Sequence, residues 1–157
     1  MKLLDTAVAV DHLRGAEPAV ELLGRLAQED ETIAASELVR FELLAGVRAD
    51  EVEALEQFFA ACLWLPVDED VTRTAGSLAR KHREAFSGID DVDYLIAATA
   101  IVFDMELLTT NVRHLRPSSG RCEEPQAVDA REMAGVERRE RGVVGEAAGG
   151  DPGVVRG

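Results

Sequence analysis

Asp5, Glu42 and Asp93 are each embedded in an apolar run, where a carboxylate is costly. Asp5 follows Met1-Lys2-Leu3-Leu4, Glu42 lies within Leu38-Val39-Arg40-Phe41-Glu42-Leu43-Leu44-Ala45, and Asp93 opens Asp93-Tyr94-Leu95-Ile96-Ala97-Ala98-Thr99-Ala100. On a helix, residues three, four and seven apart share a face. Glu42 is therefore expected beside Leu38, Phe41 and Ala45, and Asp93 beside Ile96, Ala97 and Ala100, both pointing inward. An ionised carboxylate withdrawn from water is strongly unfavourable unless it is protonated, paired or bound to a cation. No Lys or Arg has an obvious claim on all three, and a divalent metal would resolve the conflict. Taken singly, each acid has a plainer reading: Asp5 as a helix cap, Glu42 as the partner of a core-facing Arg, Asp93 as a first-turn helix acid.

Those acids must be positioned by elements that alternate along the chain. Lys2 to Leu4 reads as a buried strand, with Thr6 capping a helix to Leu13 that Arg14-Gly15 ends. Helical periodicity follows over Glu17 to Gln28, and Thr32-Ile33-Ala34 reads as a second strand. Ser36 caps the helix carrying Glu42, and Gly46 stops it. Val52 to Ala60 is helical, Cys62 to Val67 a strand, Val71 to Phe86 a helix broken at Ser87-Gly88, and Asp90 to Phe103 the helix of the third acid. Leu107 to Thr109 is a further strand, with Asn111 at a possible helix cap. Strands separated by helices imply a three-layer α/β/α domain around a short parallel sheet of four to five strands. Ligands bind beyond the carboxyl ends of such strands, where Asp5 and Thr109 to Asn111 fall.

The chain has 157 residues and a net charge of -13, so any polyanionic substrate must be met locally, through metal or a basic patch. Arg73, Arg80, Lys81, His82 and Arg83 form one candidate group and Arg113, His114 and Arg116 another; surface solvation is their plainer reading. Phe86 is a candidate flank for a substrate groove, whereas Phe58 and Trp64 read as core. The longest apolar stretch, Tyr94 to Phe103, is too short for a membrane span, so no membrane association and a cytoplasmic location are expected. Cys62 and Cys122 are too few for a disulfide framework. From Pro117 onward there is no aromatic residue, Leu or Ile, and 8 of the 13 glycines fall there. That segment cannot offset its ordering entropy by burial, so a domain over residues 1–116 and a poorly ordered tail over 117–157, with a short helix around 127–141, are expected.

An acid at a strand end, two more on helix faces and an Asn after a late strand suggest a cluster of hard oxygen donors. Mg²⁺ or Mn²⁺ suits it, because these ions accept carboxylates and waters and let a substrate phosphate complete the shell. Zinc does not, since the three His are dispersed and no Cys pair is suitably spaced. The chemistry such a site supports is phosphodiester hydrolysis. A receiver domain also places an Asp at a strand end, but neither Lys2 nor Lys81 stands where its conserved lysine would be needed.

Four blocks in order, Leu3-Leu4-Asp5-Thr6, Ser36-Glu37-Leu38 through Glu42-Leu43-Leu44-Ala45-Gly46, Asp93 through Ala100, and Leu108-Thr109-Thr110-Asn111-Val112-Arg113-His114-Leu115, resemble the motifs of PIN-domain ribonucleases, and most nearly those of VapC toxins. The resemblance spans residues 1 to about 116. It implies a metal-dependent endoribonuclease with Asp5, Glu42 and Asp93 as acidic ligands, Asp5 and Asp93 the direct ones, and with Thr6 and Asn111 as supporting groups. It also implies an RNA substrate, inhibition by a small antitoxin laid along the groove, and a homodimer. The family often has a fourth acid where this chain has Asn111 or His114; Asp90, one turn before Asp93, is a candidate substitute. The tail does not read as the short strand with which family members close. An impaired site that serves only as a partner-binding module is the alternative.

Overall fold

The computed structural model of the chain describes residues 1–82, 90–111 and 124–134. Arg83, Phe86, Ser87-Gly88, Arg113, His114 and Arg116 lie outside those residues, as does any helix that Asn111 would cap. The elements are β1 (Lys2–Leu4), α1 (Thr6–Leu13), α2 (Glu17–Gln28), β2 (Ile33–Ser36), α3 (Glu37–Gly46), α4 (Val52–Ala61), β3 (Leu63–Leu65), α5 (Glu69–His82), α6 (Asp91–Val102), β4 (Glu106–Thr109), β5 (Gln126–Val128) and α7 (Arg131–Ala134). They form a five-stranded sheet in the order β3-β2-β1-β4-β5, parallel except for β5. This is the expected α/β layering. Among the described residues no helix is long and apolar enough to cross a membrane.

The strand order explains where a site can form. The chain steps from β1 to β2 to β3 in one direction, then jumps back to place β4 on the other side of β1. With right-handed crossovers, that reversal puts α1 to α4 on one face and α5 and α6 on the other. Leu3, Leu4, Ala34, Ala35, Leu107 and Leu108 are buried, as a parallel sheet covered on both faces requires. Helix α6 is buried around most of its circumference, through Tyr94, Ile96, Ala97, Ala98, Thr99 and Ala100, and packs against α5. The crevice between the carboxyl ends of β1 and β4 is the switch point of the sheet, where ligands bind in open α/β folds.

Three helices end in the same hydrogen-bonded motif. After α1, Gly15 adopts φ 74°, its N–H donates to the His12 carbonyl, and that of Ala16 donates to Asp11. After α2 and α6 the left-handed position is filled by Asp30 (φ 53°) and Asp104 (φ 56°), with Glu31 N–H on Leu26 and Met105 N–H on Ala100. Such closures satisfy the last carbonyls of a helix and normally use Gly. Asp tolerates the conformation at some cost.

Two features of the sequence reading change. On α3 the buried residues are Val39 and Leu43, while Phe41 is 65% exposed and Ala45 is also exposed, so Glu42, half-buried like Leu38 one turn before it, sits at the edge of the inward arc and Phe41 and Ala45 do not line that arc. The apolar residues of this segment occur all round the helix, and periodicity could not select the arc. Part of the supposed tail is a closing strand: β5 pairs antiparallel with β4, Leu107 opposite Val128. Only Val128 of its three residues is buried, so the β4 ladder, not apolar content, holds it. Helix α7 (Arg131–Ala134) lies within the span expected to be helical. Its Arg131 bonds Asp104 at 2.7 Å and the Ile101 carbonyl at 3.3 Å, clamping the segment to the end of α6.

At the opposite sheet edge, the Arg40 guanidinium lies 4.2 Å from the Trp64 ring centroid and 5.3 Å from that of Phe59, and the indole N–H donates to the Phe59 carbonyl at 2.8 Å. Burial there pushes the Cys62 thiol up to about 11, which leaves it un-ionised and unreactive near neutrality.

Asp30→Gly relieves the left-handed strain and is expected to raise stability by up to about 1 kcal/mol, read as a higher urea midpoint. Arg131→Ala is expected to lower it by about 1 to 3 kcal/mol, because a charged hydrogen-bonded clamp is lost. An unchanged midpoint for Arg131→Ala would mean that the clamp contributes nothing.

Candidate functional site

Parallel register carries Asp5 to Thr109. Leu3 lies opposite Leu107 and Leu4 opposite Leu108, so the next rung pairs the first residue beyond β1 with the last of β4. The Asp5 N–H donates to the Leu108 carbonyl at 2.9 Å, extending the ladder, and the Thr109 hydroxyl donates to Asp5 Oδ2 at 2.6 Å. That hydroxyl in turn accepts the Asn111 backbone N–H at 2.9 Å. Asp5 also stands at the N-cap position of α1, yet its side chain makes no capping bond. Capping therefore does not account for its carboxylate.

Thr6 is the first residue of α1 and does not cap it. Its hydroxyl donates to Glu42 Oε2, joining α1 to α3. Glu42 is not the partner of a core-facing arginine through Arg40, whose guanidinium pairs with Glu37 at 3.4 Å and stacks on the aromatic rings. Ser36 caps α3 as expected, accepting the Leu38 N–H at 3.4 Å, and so fixes the start of the helix that carries Glu42. Glu42 also lines a groove of about 460 Å³ between α1, α3 and α4, floored by Val10, Leu13, Leu43 and Leu55, with Arg14 and Arg48 in its walls.

Asp93 is held differently. Asp90 is the N-cap of α6, its Oδ1 accepting the N–H of Val92 at 2.9 Å and of Asp93 at 3.0 Å, while Asp93 Oδ2 accepts the Asp90 N–H at 3.2 Å. This is a reciprocal capping box. The plain reading of Asp93 as a first-turn helix acid is thus realised, and Asp90 is committed to the helix end. Asp93 remains half-buried, directly above Ile96 and Ala97, and its helix touches α3.

Hydrogen bonds therefore link Asp5 to Thr109, with Asn111 contributing its backbone N–H, and separately Thr6 to Glu42, the two pairs meeting only at the Asp5–Thr6 peptide, while Asp90 and Asp93 form a third pair. Among the described residues no three His, Cys, Asp or Glu side chains lie together as a group able to hold a metal ion, so Asp5, Glu42 and Asp93 are not gathered into one ligand set. The donor chemistry nonetheless suits a hard cation. Mg²⁺ usually keeps several waters and takes only one or two carboxylates, with substrate phosphate completing the shell. Thr109 had been placed at a strand end by the sequence but given no role. The register rule that pairs it with Asp5 needs the β1–β4 adjacency, which local patterns do not reveal.

Residues 2–118 match the family model described as PIN domain. The chain is 65% identical to Ribonuclease VapC19 of Mycobacterium tuberculosis over 114 residues, 73% of this chain and 91% of that protein. It is 38% identical over 114 residues to Ribonuclease VapC10 of the same organism, covering 73% of this chain and 85% of that one. Among solved structures, VapBC2 from Rickettsia felis bound to a promoter DNA fragment superposes with a TM-score of 0.66 at 24% identity, over 74% of this chain and 91% of that chain.

Asp90→Ala is expected to cost about 1 kcal/mol of stability by removing the α6 cap, whereas Asp90→Asn, which keeps the acceptor oxygen, stays near the parent value. Equal losses in both, measured by urea denaturation, would show that the charge of Asp90 and not its capping bond is what counts.

Proposed function

The chain belongs to the PIN-domain family, and we propose that it is a VapC-type ribonuclease, the toxin of a toxin–antitoxin pair, with its acidic centre at the β1–β4 switch point. The observation that carries this reading is the held carboxylate of Asp5 at that switch point, in a chain 65% identical to a ribonuclease over 91% of the latter's length. The reaction is endonucleolytic hydrolysis of RNA phosphodiester bonds, supported by Mg²⁺ with Mn²⁺ as a substitute.

Asp5 and Asp93 are the proposed direct holders of the ion, and Glu42 the third acid. Bound there, the ion would lower the pKa of a water and neutralise charge developing on the leaving oxygen. The chain's own residues do the orienting. The Thr109 and Thr6 hydroxyls fix one oxygen each of Asp5 and Glu42, and the Asn111 N–H fixes Thr109. RNA approaches a protein of net charge -13, so its phosphates must be received by the ion and by local cations. Arg80, Lys81 and His82 in the last turn of α5 are candidates, as is Arg73 on the same helix, which also bonds Glu69 at 2.7 Å.

The groove between α1, α3 and α4 suits a small antitoxin protein, whose apolar residues would cover Val10, Leu13 and Leu55. A partner Arg reaching Glu42 from that groove would compete with the cation for the same carboxylate. Homodimerisation belongs to the same reading, and the exposed Phe41 and Leu44 on α3, outside the groove lining, offer apolar surface for it.

Purified protein incubated with total RNA is expected to produce end-mapped cuts with Mg²⁺ or Mn²⁺, none with EDTA, and a rate lower by more than about 100-fold in Asp5→Ala and Asp93→Ala. Cuts that persist in Asp5→Ala or in EDTA would overturn the assignment of this site. Retained metal and partner binding without cleavage of any RNA would point instead to a binding module.

A further inference from the structure

We infer that Thr109 is a positioning residue of the acidic centre, fixing the carboxylate of Asp5 for its ligand through a directed hydrogen-bond relay. This deepens the proposed function and rests on that reading. A hydroxyl has one proton to give and lone pairs to receive with. One lone pair of Thr109 Oγ1 accepts the Asn111 backbone N–H at 2.9 Å, and its proton is given to Asp5 Oδ2, an acceptor-only carboxylate oxygen 2.6 Å away. Donation from the amide polarises the hydroxyl and strengthens the bond it makes to the carboxylate. The residue is 2% exposed, which keeps water from competing at the hydroxyl in the middle of the relay.

Position supports the same role. Thr109 closes β4 one rung beyond the Leu4–Leu108 pair, and a β-branched side chain in a strand has restricted χ1 freedom, so the direction of Oγ1 is set by the backbone. The Asp5 backbone is anchored to the same strand through its N–H on the Leu108 carbonyl. Main chain and side chain of Asp5 are thus both referenced to β4. Val would satisfy the packing of this buried site as well as Thr does. What the hydroxyl adds is orientation of the carboxylate, and with it restraint on whether both of its oxygens can turn toward a ligand.

The test compares Thr109→Val, which deletes only the hydroxyl, with Thr109→Ser, which keeps it and deletes the methyl. Each full-length protein is titrated with Mn²⁺ alone by calorimetry and assayed for RNA cleavage with kcat and KM separated. Thr109→Val is expected to weaken Mn²⁺ binding and lower kcat by about 10- to 100-fold, the range for groups that orient metal ligands, with KM for RNA little changed. Thr109→Ser is expected to restore most of both. Thermal unfolding checks that Thr109→Val is folded; a folded Thr109→Val with the parent isotherm overturns the proposal, and so does a Thr109→Ser no better than Thr109→Val. Parent protein that binds Mn²⁺ but cleaves nothing removes the nuclease reading alone, since the isotherms still decide the role of Thr109. Parent protein that binds no Mn²⁺ overturns both.

Discussion

The adjacency of β1 and β4 is the constraint on which the candidate site depends, because these strands are far apart in sequence and reach each other only through the reversal of strand order. Their register, Leu4 against Leu108, fixes Asp5 beside Thr109 without any further choice. A one-residue slip would exchange the faces on which Leu3 and Leu4 pack, and these two residues before Asp5 are both fully buried. Burial of the strand core and placement of the acid are therefore the same event. The Lys2–Glu106 ion pair at the far end of the two strands favours the same alignment.

Around that fixed point, hydroxyls manage charge that the fold would otherwise resist. Thr109 holds Asp5 and Thr6 holds Glu42, while Asp93 is tied by the capping box at the start of α6. Each acid is half-buried and each has a specific donor. An acidic chain that handles a polyanion gains from carboxylates oriented in this way, since an ion bound there would serve both as counter-charge for the protein and as receiver for the substrate phosphate. The groove beside Glu42 continues that surface, with apolar side chains and two arginines together in its lining.

The sequence revealed what local chemistry dictates. Lys2 to Leu4, the α1 and α2 spans, the Ser36 cap and the Gly46 stop all reappear, because apolar period, capping residues and breakers act within a few positions. It misassigned Thr6 as a cap, since Ser or Thr ahead of a helix is an ordinary capping signal and the competing acceptor, Glu42, is remote in sequence. It placed Glu42 among Phe41 and Ala45 because α3 is apolar on nearly every side, and only packing against the sheet and α1 selects Val39 and Leu43. It missed β5 because Gln126-Ala127-Val128 has no strand-like burial of its own and is ordered by pairing with β4. It left Thr109 without a role for the same reason: the partner that gives the residue its meaning comes from another part of the chain.

The central claim is that Asp5, held at the β1–β4 switch point, carries the cation. Anomalous diffraction from a crystal of the protein soaked with Mn²⁺ tests this most directly. The account predicts a peak within about 2.0 to 2.3 Å of an Asp5 carboxylate oxygen, lost in Asp5→Ala. A peak held by other residues, or none at the ends of β1 and β4 when Mn²⁺ supports cleavage, would contradict it.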